Sequence, residues 1–89
     1  MEDKVYENKV AKEILDLINQ YINNSDKREP NRKLHLLTHE LYYKKQHILS
    51  QKMIDIALAI FSFTTASLNG GHYQDLTEFI PDLQQIINS

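Results

Sequence analysis

The stretch from Met53 to Leu68, MIDIALAIFSFTTASL, constrains the fold more than any other part of the chain. At about 100° per residue on a helix, Gln51, Asp55, Ser62 and Asn69 share one narrow stripe. Met53, Ile54, Ile56, Leu58, Ile60, Phe61 and Phe63 cover the rest of the circumference. A helix that is apolar on most sides has to bury itself among others. The spacing therefore predicts the central helix of a small helical bundle, with Gln51, Asp55, Ser62 and Asn69 as its exposed line. With Asp55 inside it, and fewer than the roughly 20 apolar residues a bilayer crossing needs, it is not expected to span a membrane.

Three other segments supply the neighbours. Over residues 3–23, Val10, Ile14, Leu17 and Tyr21 form one seam with Ala11, Leu15, Ile18 and Ile22 beside it. Lys9, Lys12, Glu13, Asp16, Asn19 and Gln20 lie opposite, which is the pattern of a surface helix. Asn23-Asn24-Ser25 ends it, because short polar side chains compete for helical hydrogen bonds. A second helix is expected to start between Asp26 and Asn31, where Asp26 and Glu29 have capping-box spacing and Pro30 is acceptable only in a first turn. Leu34, Leu37, Leu41 and Ile48 define its core stripe, and His35, Leu36, His39, Tyr42 and Tyr43 lie on the other side. Ser50 suits the N-cap of the third helix, and Gly70-Gly71 suits its end. The fourth segment, Tyr73 to Asn88, places Leu76, Phe79, Ile80, Leu83, Ile86 and Ile87 on one face. Pro81 would there remove a backbone hydrogen bond and clash with the Thr77 carbonyl, so a kink is expected. Links of about three to six residues make successive helices antiparallel. The expected fold is all-α: one domain over residues 1–89, an antiparallel up-down-up-down four-helix bundle with its last helix kinked at Pro81. Two glycines and two prolines are too few to punctuate an all-β chain of this length.

Composition narrows the function. With no cysteine there is no disulfide framework, thiolate metal site or thiol nucleophile, and a reducing compartment is compatible. The charged start MEDKVYENKV has no apolar signal-peptide core, so a cytoplasmic location is expected. A net charge of −2 argues against a nucleic-acid partner. The local basic excess of Lys27, Arg28, Arg32 and Lys33 is interrupted by Asp26 and Glu29, and reads as a solvated loop and helix start. His35 and His39, four apart, can project from one face, and Glu40 or His47 would add a third donor to a zinc ion. However, HLLTH lacks the glutamate that metalloprotease helices place after the first histidine, and no cysteine or compact carboxylate cluster completes a site. No metal or cofactor is expected. The carboxylates are scattered, and Ser50 and Ser62 have no histidine and acid arranged around them. Gly70-Gly71 follows a helix rather than a strand, so it is no phosphate loop. The chain is expected not to be an enzyme. What remains is the stripe of His35, His39, Tyr42 and Tyr43, which is either a partner or homodimer surface or is buried between two neighbouring helices.

The order of an amphipathic helix, a polar loop, a second helix, a long apolar helix, a short turn and a closing amphipathic helix resembles the immunity proteins of pediocin-like (class IIa) bacteriocins. The similarity is carried mainly by SQKMIDIALAIFSFTTASLNGGHYQDLTEFIPDLQQI. It implies a small cytosolic bacterial four-helix bundle that protects the producing cell from its own peptide toxin. The resemblance further implies binding to a membrane-embedded sugar-transporter receptor occupied by the toxin. Recognition would lie in the turn Asn69 to His72 and the helix surface from Tyr73 to Asn88. On that reading His72 and Tyr73 join His35, His39, Tyr42 and Tyr43 as candidate partner-binding residues. The abundance of Tyr, Asn, Ile and Lys fits an AT-rich bacterial coding bias. The alternative is a small phage or mobile-element regulator or inhibitor that binds a host protein through the second helix, as a homodimer or alone. Arg32 and His39, with six residues between them, also resemble the arginine–histidine pair of helical HEPN ribonucleases, but the polar pattern around that pair is not matched.

Overall fold

The computed structural model describes residues 2–89. Its α-helices are α1 (Lys4–Asn23), α2 (Arg28–Lys44), α3 (Gln51–Leu68) and α4 (Phe79–Asn88), with a 3-10 turn over Gln46–Ile48 and no strand among the described residues. The most extensive packing is α2 on α3; α1 packs on α2 and α4, and α4 also touches α3. Ile14 and Ile18 of α1, Leu34 and Leu41 of α2, Met53 and Ile60 of α3 and Leu83 of α4 meet in one core, closed by Leu49 and Leu76 from the links.

Local hydrogen bonds explain most of the boundaries. The Asp3 carboxylate accepts from the Tyr6 N–H at 3.0 Å and starts α1, and the Ser50 hydroxyl accepts from the Met53 N–H at 3.2 Å and starts α3. These two starts are joined. Glu7, which is buried, accepts the Ser50 N–H at 2.6 Å, and the Asp3 N–H donates to the Ile48 carbonyl at 2.8 Å. At the other end of α1, Lys27 Nζ donates to the carbonyls of Tyr21 at 2.5 Å and Asn24 at 3.1 Å, placing a cation where the helix dipole favours one. α3 closes with a Schellman motif: the Gly70 N–H reaches the Ser67 carbonyl and the Gly71 N–H the Ala66 carbonyl. Gly70 has φ +94°, and a Cβ on Gly71 would stand 2.7 Å from the Ala66 carbonyl oxygen. The two glycines are thus required for different reasons.

Four features depart from the sequence pattern. First, Gln51, Asp55, Ser62 and Asn69 are all exposed, as their spacing predicts, but α3 is not enclosed on its remaining sides. Met53, Ile56, Ala57, Ile60 and Thr64 are buried, Ile54, Phe61 and Phe63 only half so, and Leu58 is exposed. With most of its packing against α2, and less against α4, the helix has one buried face. Second, no capping box forms at α2. Asp26 instead accepts from the Arg28 backbone and guanidinium, and Glu29 pairs with Arg32 at 2.6 Å. Third, the core stripe of α2 runs Asn31, Leu34, Thr38, Leu41. Leu37 and Ile48 are half-buried. Thr38 returns its hydroxyl to the Leu34 carbonyl at 2.8 Å, whereas Asn31 Oδ1 has no hydrogen-bond partner.

Fourth, the helix expected from Tyr73 begins at Phe79. Pro81 therefore lies in its first turn, where its missing N–H costs no helical bond; the Thr77 carbonyl accepts from Ile80 instead. The α3–α4 link is correspondingly long, residues 69–78. Buried Leu76 anchors it, and the Asp75 carboxylate accepts from the Thr77 N–H and hydroxyl at 2.9 and 2.6 Å. Because a buried acceptor without a partner costs about 1–3 kcal/mol, Asn31→Leu should raise the unfolding free energy by about 1 kcal/mol in urea denaturation. A lower denaturation midpoint would contradict the unpaired state of that oxygen.

Candidate functional site

α2 and α3 between them assemble an aromatic cluster centred on Phe61. The His35 ring lies nearly parallel to Phe61, with centroids 4.7 Å apart at 17°, and its Nδ1 is 3.0 Å from the Thr64 hydroxyl. That hydroxyl has a single hydrogen and the Phe61 carbonyl 3.0 Å away to receive it. We therefore assign the proton to His35 Nδ1, which donates to Thr64 and leaves Nε2 the lone pair in the neutral ring. One turn on, the His39 ring stands 5.7 Å from Phe61 and 4.5 Å from Tyr43. Tyr43 is edge-on to Phe61 at 6.2 Å and to Tyr42 at 5.1 Å. Such pairs each add about 0.5–1.5 kcal/mol beyond the area they bury, so the cluster holds its side chains in place.

The stripe is divided between buried and open residues. His35 is half-buried against α3 and Tyr42 is half-buried beside Tyr43, while His39 is exposed, Tyr43 is 58% exposed and Leu36 55%. α3 supplies the floor, and the outer edge is left as an ordered ridge. Beyond the ridge, Leu36, Leu37 and His39 face Leu17 of α1 across a shallow groove that Lys33, Lys44, Glu13 and Glu40 border.

His72 and Tyr73 lie apart from this cluster, on the non-helical link between α3 and α4. Ser67 Oγ donates to the His72 carbonyl at 3.2 Å. The Tyr73 ring is edge-on to Tyr21 at 6.1 Å and remains 43% exposed. Tyr21 is buried, its hydroxyl donates to the Gln74 carbonyl at 2.8 Å, and Lys27 Nζ lies 4.9 Å from its ring centre. Of the six candidate residues, then, His35, His39 and Tyr43 gather at Phe61, Tyr42 joins them through Tyr43, Tyr73 meets Tyr21, and His72 is held by Ser67. Sequence reasoning missed Phe61 as the hub and Glu7 as a tie between helices. The second had a signal: Glu7 stands on the repeat of Val10, Ile14, Ile18 and Tyr21, where an acid on an apolar stripe asks for a donor.

Among the described residues, no three His, Cys, Asp or Glu side chains come together as a metal site, and no helix is long and apolar enough to cross a membrane. Burial, and secondarily a positive charge on His39, lowers the His35 pKa from its usual 6.5. The unfolded chain then binds more protons than the folded one in mildly acid solution. The stability due to neutral His35 is complete above its unfolded pKa and is lost as pH falls through that value toward the folded one. Unfolding midpoints of the wild type should fall in this range more steeply than those of His35→Gln, and parallel profiles would contradict the desolvated state of the ring. Tyr21 is pushed up to about 12, first by burial and then by Tyr73 and Asp75. The stability it contributes is therefore complete below its unfolded pKa near 10 and is lost as pH rises toward 12. Burial also raises Tyr6, by less, so ultraviolet titration should show Tyr21 as the last tyrosine to ionise, and that last step should vanish in Tyr21→Phe.

No known protein family, no curated protein and no solved structure matches the chain.

Proposed function

We propose that this chain is a non-enzymatic, protein-binding antiparallel four-helix bundle of the bacterial cytoplasm. In its most concrete form it is an immunity protein of the pediocin-like bacteriocin kind, protecting the cell that makes the toxin. The observation that carries the binding role is the ordered ridge on α2, where Tyr43, His39 and Leu36 stay open to solvent while Phe61 fixes the rings beneath them. Tyrosines held in place before contact bind with less loss of side-chain freedom, and they are over-represented among residues that dominate interfaces. The antiparallel order draws support from the pairing across the seam, where His35 meets Thr64 and His39 meets Phe61. The immunity form rests on the resemblance in helix order. It finds candidate contacts in the C-terminal half, where Leu68 and Tyr73 are exposed at either end of the turn that closes α3.

Expression in a strain sensitive to a pediocin-like peptide should raise tolerance to that peptide, and Tyr73→Asp should reduce the protection without loss of helicity. Absence of protection against a panel of such peptides would remove the immunity form. The second reading is a small phage or mobile-element regulator that docks on a host protein, and it is favoured by the exposure of Tyr43 on α2. On that reading Tyr43→Asp, not Tyr73→Asp, is the substitution that abolishes complex formation.

A further inference from the structure

The charge of the chain is unevenly placed. From Asp26 to His47 there are six Lys and Arg against three Asp and Glu, a net +3, although the whole chain carries −2. Two of those carboxylates are already committed, Asp26 to Arg28 and Glu29 to Arg32. Lys27 is bonded to the end of α1, and Lys45 lies over the Tyr6 ring. Lys33 and Lys44 have no ion pair among the described residues. They stand eleven residues apart on α2, about 16 Å along the helix axis. Between them the α1–α2 groove has an apolar floor of Leu17, Leu36 and Leu37.

We propose that this groove takes a short amphipathic helix of another protein, with apolar side chains at its centre and a carboxylate toward each end. A helix laid along a groove between two helices presents anchors at i, i+4 and i+7, which suits a floor made of leucines from both walls. Carboxylates at its ends would meet Lys33 and Lys44. Glu40 on α2 and Glu13 on α1 also border the groove and repel a segment acidic along its whole length, so the match is to end charges with an uncharged middle. The inference rests on the protein-binding reading and adds the chemistry of the partner.

A synthetic 15-residue peptide with leucines at i, i+4 and i+7 and glutamates at both ends, titrated into the ¹⁵N-labelled full chain, tests it. Amide shifts are expected at Leu17, Leu36 and Leu37, with binding lost in Leu36→Asp, a substitution at an exposed position. Exposed ion pairs contribute little each, so Lys33→Glu with Lys44→Glu should weaken the complex about fivefold at low salt. The same pair of substitutions should improve binding of a control peptide with lysines at its ends. A wild-type chain that binds the lysine-ended peptide as tightly overturns the charge match while leaving protein binding by α2 intact. Absence of shifts at the three leucines with either peptide up to about 1 mM, the weakest affinity worth the name, overturns the groove as a docking site. The protection assay reads the immunity function separately from both outcomes.

Discussion

The packing of α2 on α3 is the contact on which the rest of the molecule depends, and two threonines show how it is made. Leu34 and Leu41 bury themselves with Met53, Ala57 and Ile60 in the core. Thr38 and Thr64 occupy core positions among them, each returning its hydroxyl to a carbonyl of its own helix. A buried hydroxyl bonded locally avoids the cost of an unpartnered one. It also leaves the Thr64 oxygen free to accept from His35, and this fixes the ring that stacks on Phe61. The order of the exposed ridge is therefore a consequence of how a core position was filled.

The other helices are held to this pair by ties at their ends. Glu7 receives the N–H of Ser50, and Asp3 donates to Ile48, so that the first turn of α1 and the start of α3 share their hydrogen bonds. Tyr21 performs a comparable task at the far end of α1, where its hydroxyl holds the link to α4 through the Gln74 carbonyl. α4 has ten residues, too short to persist alone in water, since helix nucleation is costly and isolated helices below about 12–15 residues are marginal. Its order comes from Phe79, Leu83 and Ile86 in the core and from the anchored Leu76 that precedes it.

The candidate site was half legible in the sequence. The i,i+4 spacing of His35, His39 and Tyr43 puts them on one face, and that grouping survives in three dimensions. What spacing does not contain is the neighbour across the seam. Phe61 reads in one dimension as one more apolar residue of α3, yet it decides which ring is half-buried and which is left open. His72 and Tyr73 show the opposite case: they are adjacent in the chain, yet Tyr73 packs on Tyr21, about fifty positions earlier, while His72 is tied to Ser67.

The sequence by itself determined the all-α class, the ends of α1 and α3, and the exposed line of Gln51, Asp55, Ser62 and Asn69. These depend on hydrogen bonds and spacings that close within a few residues, as at Asp3, Ser50 and Gly70. Only the tertiary structure decided that Asn31 and Thr38 face the core, that residues 71–76 stay outside any helix, and that α3 buries a single face. Those outcomes turn on which residues, distant in the chain, arrive opposite one another, and on how many neighbours 89 residues can place around one helix.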